Sequence, residues 1–301
     1  MISRPVPGCR APAPEGNLRL MSRHVAIVTD STAYLPPQTM ERHGITAVPL
    51  TVVLGDQALE EGTEISSRSL ALALQKRRSV TTSRPGPEVF AAAYRAVAET
   101  GATGIVSLHL SAEFSGTYDA AVIAAKEAPV PVRVIDTGMV AMALGFSALA
   151  AAEAAEAGGG LDEAVAAAEK RAAGTSAFFY VDTLDYLRRG GRIGAAQALL
   201  GSALAVKPIL QLDGGRIEML EKVRTASKAI ARLEEIVAER AGAGAVDIAV
   251  HHLAAPDGAE RLAERLRSRV PGLVDLHVSE VGAVIGAHTG PGLLAAVIAP
   301  R

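Results

Sequence analysis

One cysteine in 301 residues, Cys9, excludes an internal disulfide, and no Cys/His cluster stands at zinc-binding spacing. A metal site is not indicated, and a cytoplasmic location with reduced thiols fits this usage. Tryptophan is missing and aromatics make up 3% of the chain, so its cores must be filled by Ala, Val, Leu and Ile. Stacking on nucleobases has few side chains to work with. The formal charge is -2 and the pI about 6.4, which leaves no basic field for a phosphate backbone and excludes nucleic acid as an expected partner. No apolar run reaches the length of a spanning helix. The longest, Met139 to Ala152, is rich in Ala and reads as a buried helix, so at most transient membrane contact is expected. Neither a G-x-S-x-G elbow nor a G-x-x-x-x-G-K-[ST] loop occurs, which removes two common α/β enzyme readings. Residues 1–22 carry Pro, Gly and Arg without a signal-peptide core and read as a disordered extension, with Met21 a second candidate start.

What the chain does contain is hydrophobic residues, 49% of the total, enough for two cores at this length. Short β-branched runs alternate with helical stretches. Val25–Thr29, the extended Ile45–Leu54, Gly104–Leu110 and Val132–Asp136 read as strands; Ser66–Lys76, Pro87–Glu99, a segment beginning near Ser115 and the Ala-rich stretch to Ala157 read as helices. Pro87 and Glu88 suit a first helical turn, where Pro lacks a needed N–H anyway and an acid complements the dipole. Glycines 158–160 mark a boundary. Beyond it follow a helix at 161–173, a strand at 177–181, strands at 205–212 and 216–221 joined by an Asp213-Gly214 turn, a helix at 225–240, a strand at 246–252, a helix at 256–269 and a strand at 273–278. The expected fold is α/β in two domains: residues 23–158 with a mostly parallel sheet flanked by helices, and 161–301 with a mixed sheet.

Four loops could hold an anion. Ser115-Gly116 follows a strand and opens a helix, where free N–H groups and the dipole favour negative charge; an ordinary helix cap is the competing reading. Thr81-Thr82-Ser83-Arg84-Pro85 sets hydroxyls in a row at a sheet edge, though such clusters also make plain turns. Arg188-Arg189-Gly190-Gly191-Arg192 pairs glycines that admit close approach with a guanidinium fork at Arg192, against the bland alternative of a solvated basic turn. His288 lies in a glycine-rich stretch and can donate to an anion or serve as a structural histidine. Gly290 to Ala295 matches G-x-G-x-x-A, but too few residues follow for a crossover and second strand, so a dinucleotide fingerprint is rejected and no cofactor is expected. His251 and His252 are adjacent on a strand and point to opposite faces, which argues against a shared metal.

The ordered blocks VTDSTAYLP (28–36), PLTVVLGDQ followed by EGTEIS, TTSRPGP (81–87), LSAEFSGTY (110–118), VIDT (134–137), DTLDYLRRGGRIG (182–194), KPIL (207–210) and IGAHTGPG (285–292) resemble the DegV family from Val25 to Ile298. That resemblance implies a fatty-acid-binding protein of two α/β domains, acting as the acyl-carrying partner of fatty acid kinase. It implies that a long-chain fatty acid sits between the domains, its carboxylate held by Thr82, Ser83, Ser115, Gly116 and His288. Arg192 would face the kinase and the arriving phosphoryl group. The kinase would bring ATP and metal, and the acyl-phosphate product would feed phospholipid synthesis. Arg84 departs from the family's Gln, and Glu113 and Phe114 occupy a variable centre. The competing reading is an acyl- or phosphoryl-transfer enzyme with Ser115 as nucleophile, His288 as base and Asp30 as the one candidate orienting carboxylate.

Overall fold

The computed structural model describes residues 25–199 and 207–301. The expected N-terminal extension, Met21, and the first residues of the strand expected at 205–212 lie outside them. In chain order the strands are β1 (Val25–Asp30), β2 (Thr46–Val48), β3 (Thr51–Leu54), β4 (Gln57–Glu60), β5 (Val80–Ser83), β6 (Gly104–His109), β7 (Val132–Asp136), β8 (Ser176–Tyr180), β9 (Lys207–Asp213), β10 (Arg216–Val223), β11 (Val246–His252), β12 (Leu273–Glu280) and β13 (Leu294–Pro300). The α-helices are α1 (Pro37–His43), α2 (Ser67–Gln75), α3 (Pro87–Glu99), α4 (Thr117–Ala125), α5 (Met142–Glu156), α6 (Leu161–Gly174), α7 (Asp185–Arg189), α8 (Ala226–Ala241), α9 (Pro256–Arg269) and α10 (Ala283–Thr289).

Among the described residues these strands build a parallel sheet in the order β2-β1-β6-β7, a mixed sheet in the order β10-β9-β8-β13-β11-β12, and a small antiparallel sheet β4-β3-β5. The α/β class and the pairing of a parallel with a mixed sheet agree with the sequence. The parallel sheet is covered on one face by α3 and α4, through Phe90, Tyr94, Ala120 and Ala124. Its other face meets α5 and α6, which lie between the two large sheets and pack on both. The far face of the mixed sheet is covered by α8 and α9 through Leu233, Val237, Leu262 and Leu266. The layers therefore run helices, sheet, helices, sheet, helices. Alanine dominates both helices: α5 is buried on several sides, where larger side chains would not fit, while α6 buries one stripe through Ala164, Val165, Ala168 and Ala172 and exposes the opposite face.

Three expectations are corrected. The extended stretch 45–54 is split at Pro49 and Leu50: β2 pairs in parallel with β1, while β3 turns away into the small sheet. A proline cannot donate to a ladder, so the chain changes sheets there. The segment Thr81–Ser83, expected as loop, belongs to β5, with Thr82 opposite Val52. The glycine-rich stretch around His288 contains the short helix α10, and the run Leu294–Pro300 after it is a strand paired with β8 and β11 that sequence reading did not assign. Dense Gly and Pro punctuation before Leu294 masked a run that burial shows to be central.

Candidate functional site

Between the mixed sheet and the parallel-sheet side lies a cavity of about 360 Å³, within the range of small-molecule sites. Its walls are mostly aliphatic: Ala177, Phe179, Leu212, Ala295 and Val297 from the mixed sheet, Leu50, Leu110 and Val140 opposite, and Val284 and Ile285 from α10. The polar lining residues Thr82, Ser83, Arg84, Ser115, Gly116, Arg192 and His288 belong to it as well.

Contacts join those residues into one ring. Thr82 Oγ1 and His288 Nε2 are 2.8 Å apart, linking β5 to the last turn of α10. Gly190 backs His288 so closely that a Cβ there would fall 2.0 Å from Nδ1. Arg192 donates from Nη1 to the Gly190 carbonyl at 2.6 Å, and from Nε and Nη2 to the Phe114 carbonyl at 2.9 and 2.6 Å. Ser115 comes next in the chain, its Oγ 2.8 Å from Thr117 Oγ1. Arg84 Nη1 closes the ring by donating to the Gly116 carbonyl at 3.0 Å. All four loops singled out from sequence thus converge. Arg84, which departs from the family's Gln, reaches across to the Ser115 loop.

One detail is corrected. Ser115 does not cap α4; the N-cap is Gly116, which offers no side-chain bond, so the first-turn N–H groups of the helix are left to other acceptors.

His288 carries its proton poorly. Burial, and then the nearby Arg192 charge, depress its pKa to about 4, so the ring is neutral at pH 7 and its Nδ1 has no partner among the described residues. An anion arriving beside it meets a cation, hydroxyls and an imidazole able to donate from one nitrogen. The arrangement is chemically suited to holding and orienting a negative group at the end of an apolar cavity.

It is less suited to nucleophilic chemistry. Ser115 hydrogen-bonds Thr117, His288 hydrogen-bonds Thr82, and neither bonds the other among the described residues. Asp30 is fully buried elsewhere: its Oδ2 accepts from His109 Nδ1 at 3.1 Å and from the Leu110 N–H at 3.0 Å, and its Oδ1 accepts from the Thr32 N–H. His109 Nε2 is in turn bonded by Ser107, which accepts from Tyr94. This buried chain ties the end of β6, from which the Ser115 loop departs, to β1. It does not reach the cavity ring.

Sequence reasoning missed two contributors. Glu61, buried, accepts the Val284 N–H at 2.7 Å together with the Ser31 and Tyr34 hydroxyls, and so caps α10, the helix that carries His288. Burial raises its pKa above the ordinary carboxylate range. The other is the Phe114 carbonyl that anchors Arg192, while Gly190, noted in sequence for close backbone approach, makes that approach to His288. Glu61 lies in a block already noted, but nothing in its neighbours announces a partner more than two hundred residues away. His251 and His252 do face opposite sides: His251 lines the cavity, 1% exposed, pairing with Ser279 Oγ at 3.0 Å and accepting the Met142 N–H, while His252 Nδ1 accepts the Ala255 N–H at 3.5 Å and lies 4.0 Å from Glu280. Among the described residues no helix is long and apolar enough to cross a membrane.

A profile of the DegV family, described as a family of uncharacterised proteins, matches residues 24–301. A DegV domain-containing protein of Streptomyces coelicolor is 83% identical over 281 residues, spanning 93% of this chain and 100% of that protein. A solved structure described by the fatty acid binding of a DegV family protein from Thermus thermophilus is similar with a TM-score of 0.88 at 34% identity, covering 92% of this chain and 100% of that one. DegV of Bacillus subtilis, described as a fatty acid binding protein, is similar with a TM-score of 0.86 at 34% identity, covering 92% and 99%. With the block order, the two sheets and the whole-length similarity in agreement, the chain belongs to the DegV family.

Proposed function

We propose that this protein binds a long-chain fatty acid in the cavity between its two large sheets and presents the carboxylate to a fatty acid kinase. The observation that carries the reading is a polar ring of hydroxyls, imidazole and guanidinium opening onto an aliphatic cavity. Relatives described as fatty acid binding support it. In this reading the sheets belong to two domains that meet near Gly158–Gly160, and the ligand lies between them.

Burying the acyl chain favours binding by about 0.8 kcal/mol per CH₂, on the order of 10 kcal/mol before ordering costs. The carboxylate is held by Thr82, Ser83, Ser115, His288 and the N–H groups after Gly116, which removes the penalty of an isolated buried charge. Arg192 faces the incoming phosphoryl group. The kinase supplies ATP and metal; this chain supplies orientation, and the acyl-phosphate then serves phospholipid synthesis.

Native mass spectrometry of the purified protein, with solvent extraction of what co-purifies, tests the binding. A stoichiometric fatty acid is expected, and a protein that stays empty after incubation with fatty acids of varied length would overturn the reading. Addition of a fatty acid kinase and ATP should then yield acyl-phosphate only when both proteins are present.

A further inference from the structure

The cavity has a neighbour on the page. A polar groove of about 750 Å³, lined by Asp136, Thr175, Ser176, Gln211 and Arg240 among others, adjoins it, and the two share only Phe178 and Leu212. The Phe178 ring points away from the cavity: it packs in the core under α8 and α9, with Arg240 Cζ 5.9 Å from its centroid. Leu212 is half-buried and packs with the residues on the cavity side. Leu212 is therefore the side chain that stands between the two spaces.

Its position along the sheet matters as much. Strands β8 and β13 run antiparallel, with Phe179 opposite Ala295 and Ala177 opposite Val297. Arg192 follows β8 and His288 precedes β13, so the polar ring lies at the Tyr180–Leu294 end of this pair. Each step toward Ala177 and Val297 leads away from the ring by about 3.3 Å. Leu212 follows Gln211, the partner of Phe178, and so sits at the same far end. Thr175 and Ser176 of the groove come just before Ala177, beyond the cavity's last apolar residues.

We infer that Leu212 is the stop for the methyl end of the acyl chain and sets the longest fatty acid the cavity accepts, an inference that rests on the fatty-acid reading above. A chain short of Leu212 gains about fourfold in affinity per added methylene as it buries more apolar surface. A chain that reaches past it must displace Leu212 and lay its end in a polar groove, where no such gain is available.

The test is a series of saturated fatty acids of increasing length titrated into the full-length protein and its Leu212→Ala and Leu212→Phe variants. In the unaltered protein affinity should climb with length and then break. Leu212→Ala should move the break to longer chains by two or more carbons, and Leu212→Phe to shorter ones. Leu293→Ala, at a cavity residue of the ring end that does not line the groove, should weaken all chains and leave the break in place. A break at the same length in both Leu212 variants would sink the inference while leaving fatty acid binding intact. A protein that binds no fatty acid at all would remove the reading beneath it, and the inference with it.

Discussion

Replacing Gly190 by alanine isolates the contribution of His288 to ligand binding. Gly190 has φ -76° and ψ -6°, ordinary right-handed backbone that alanine adopts freely, so the substitution adds no backbone strain and by itself favours the folded chain slightly. The new Cβ, however, would lie 2.0 Å from His288 Nδ1 and 2.8 Å from Cε1, whereas ordinary contact begins near 3.4 Å. The imidazole must retreat by more than an ångström. That breaks the 2.8 Å bond to Thr82 Oγ1 and withdraws the ring from the anion. A hydrogen bond to a charged group contributes about 1.5–3 kcal/mol, so fatty acid affinity should fall roughly ten- to a hundredfold, with stability lowered by about 1–3 kcal/mol through the displaced ring and its lost bond to Thr82. Titration calorimetry with a fatty acid, run beside thermal denaturation, reads both quantities. Unchanged affinity would show that His288 does not hold the carboxylate; a larger loss of stability would show that Gly190 is a packing residue and that the ring geometry was misjudged.

Two further outcomes follow from the same geometry. Ser115→Ala should cost about tenfold in affinity, the worth of one hydrogen bond to a carboxylate, while Arg192→Ala should lower kinase-dependent phosphorylation at least tenfold at a cost of less than about 1 kcal/mol in binding. An emptied cavity with an intact fold in Arg192→Ala would reverse those roles, and its anchor on the Phe114 carbonyl is the reason to measure both. Stability should also depend on pH through His251, whose pKa burial depresses from 6.5 to about 4. The unfolded chain binds that proton first, so this stabilisation is complete above pH 6.5 and is lost as pH falls toward 4, by about 3 kcal/mol. Denaturant melts between pH 7 and 4 should show the loss, and a His251→Gln variant with an equally steep profile would refute the assignment.

The α/β class, most elements and the loops that bear Thr82, Ser115, Arg192 and His288 are legible in sequence because each rests on local signals: β-branched runs, Pro87 at a helix start, Ser and Gly at turns. Block order carried the family. Local signals failed where long-range pairing decides. Pro49 divides one extended run between two sheets because the partners of each half lie elsewhere, and Leu294–Pro300 becomes a central strand only because β8 and β11 flank it. The same holds within the site. Side-chain chemistry identified His288, but only packing put Gly190 behind it, Glu61 under its helix, and Arg192 onto the Phe114 carbonyl. Sequence by itself determined which groups could meet an anion and how much apolar surface was available to bury. The family resemblance grouped Thr82, Ser115 and His288 in advance, but tertiary structure alone decided the contacts that join them and where the cavity ends, since both depend on residues far apart in the chain, for which no local propensity exists.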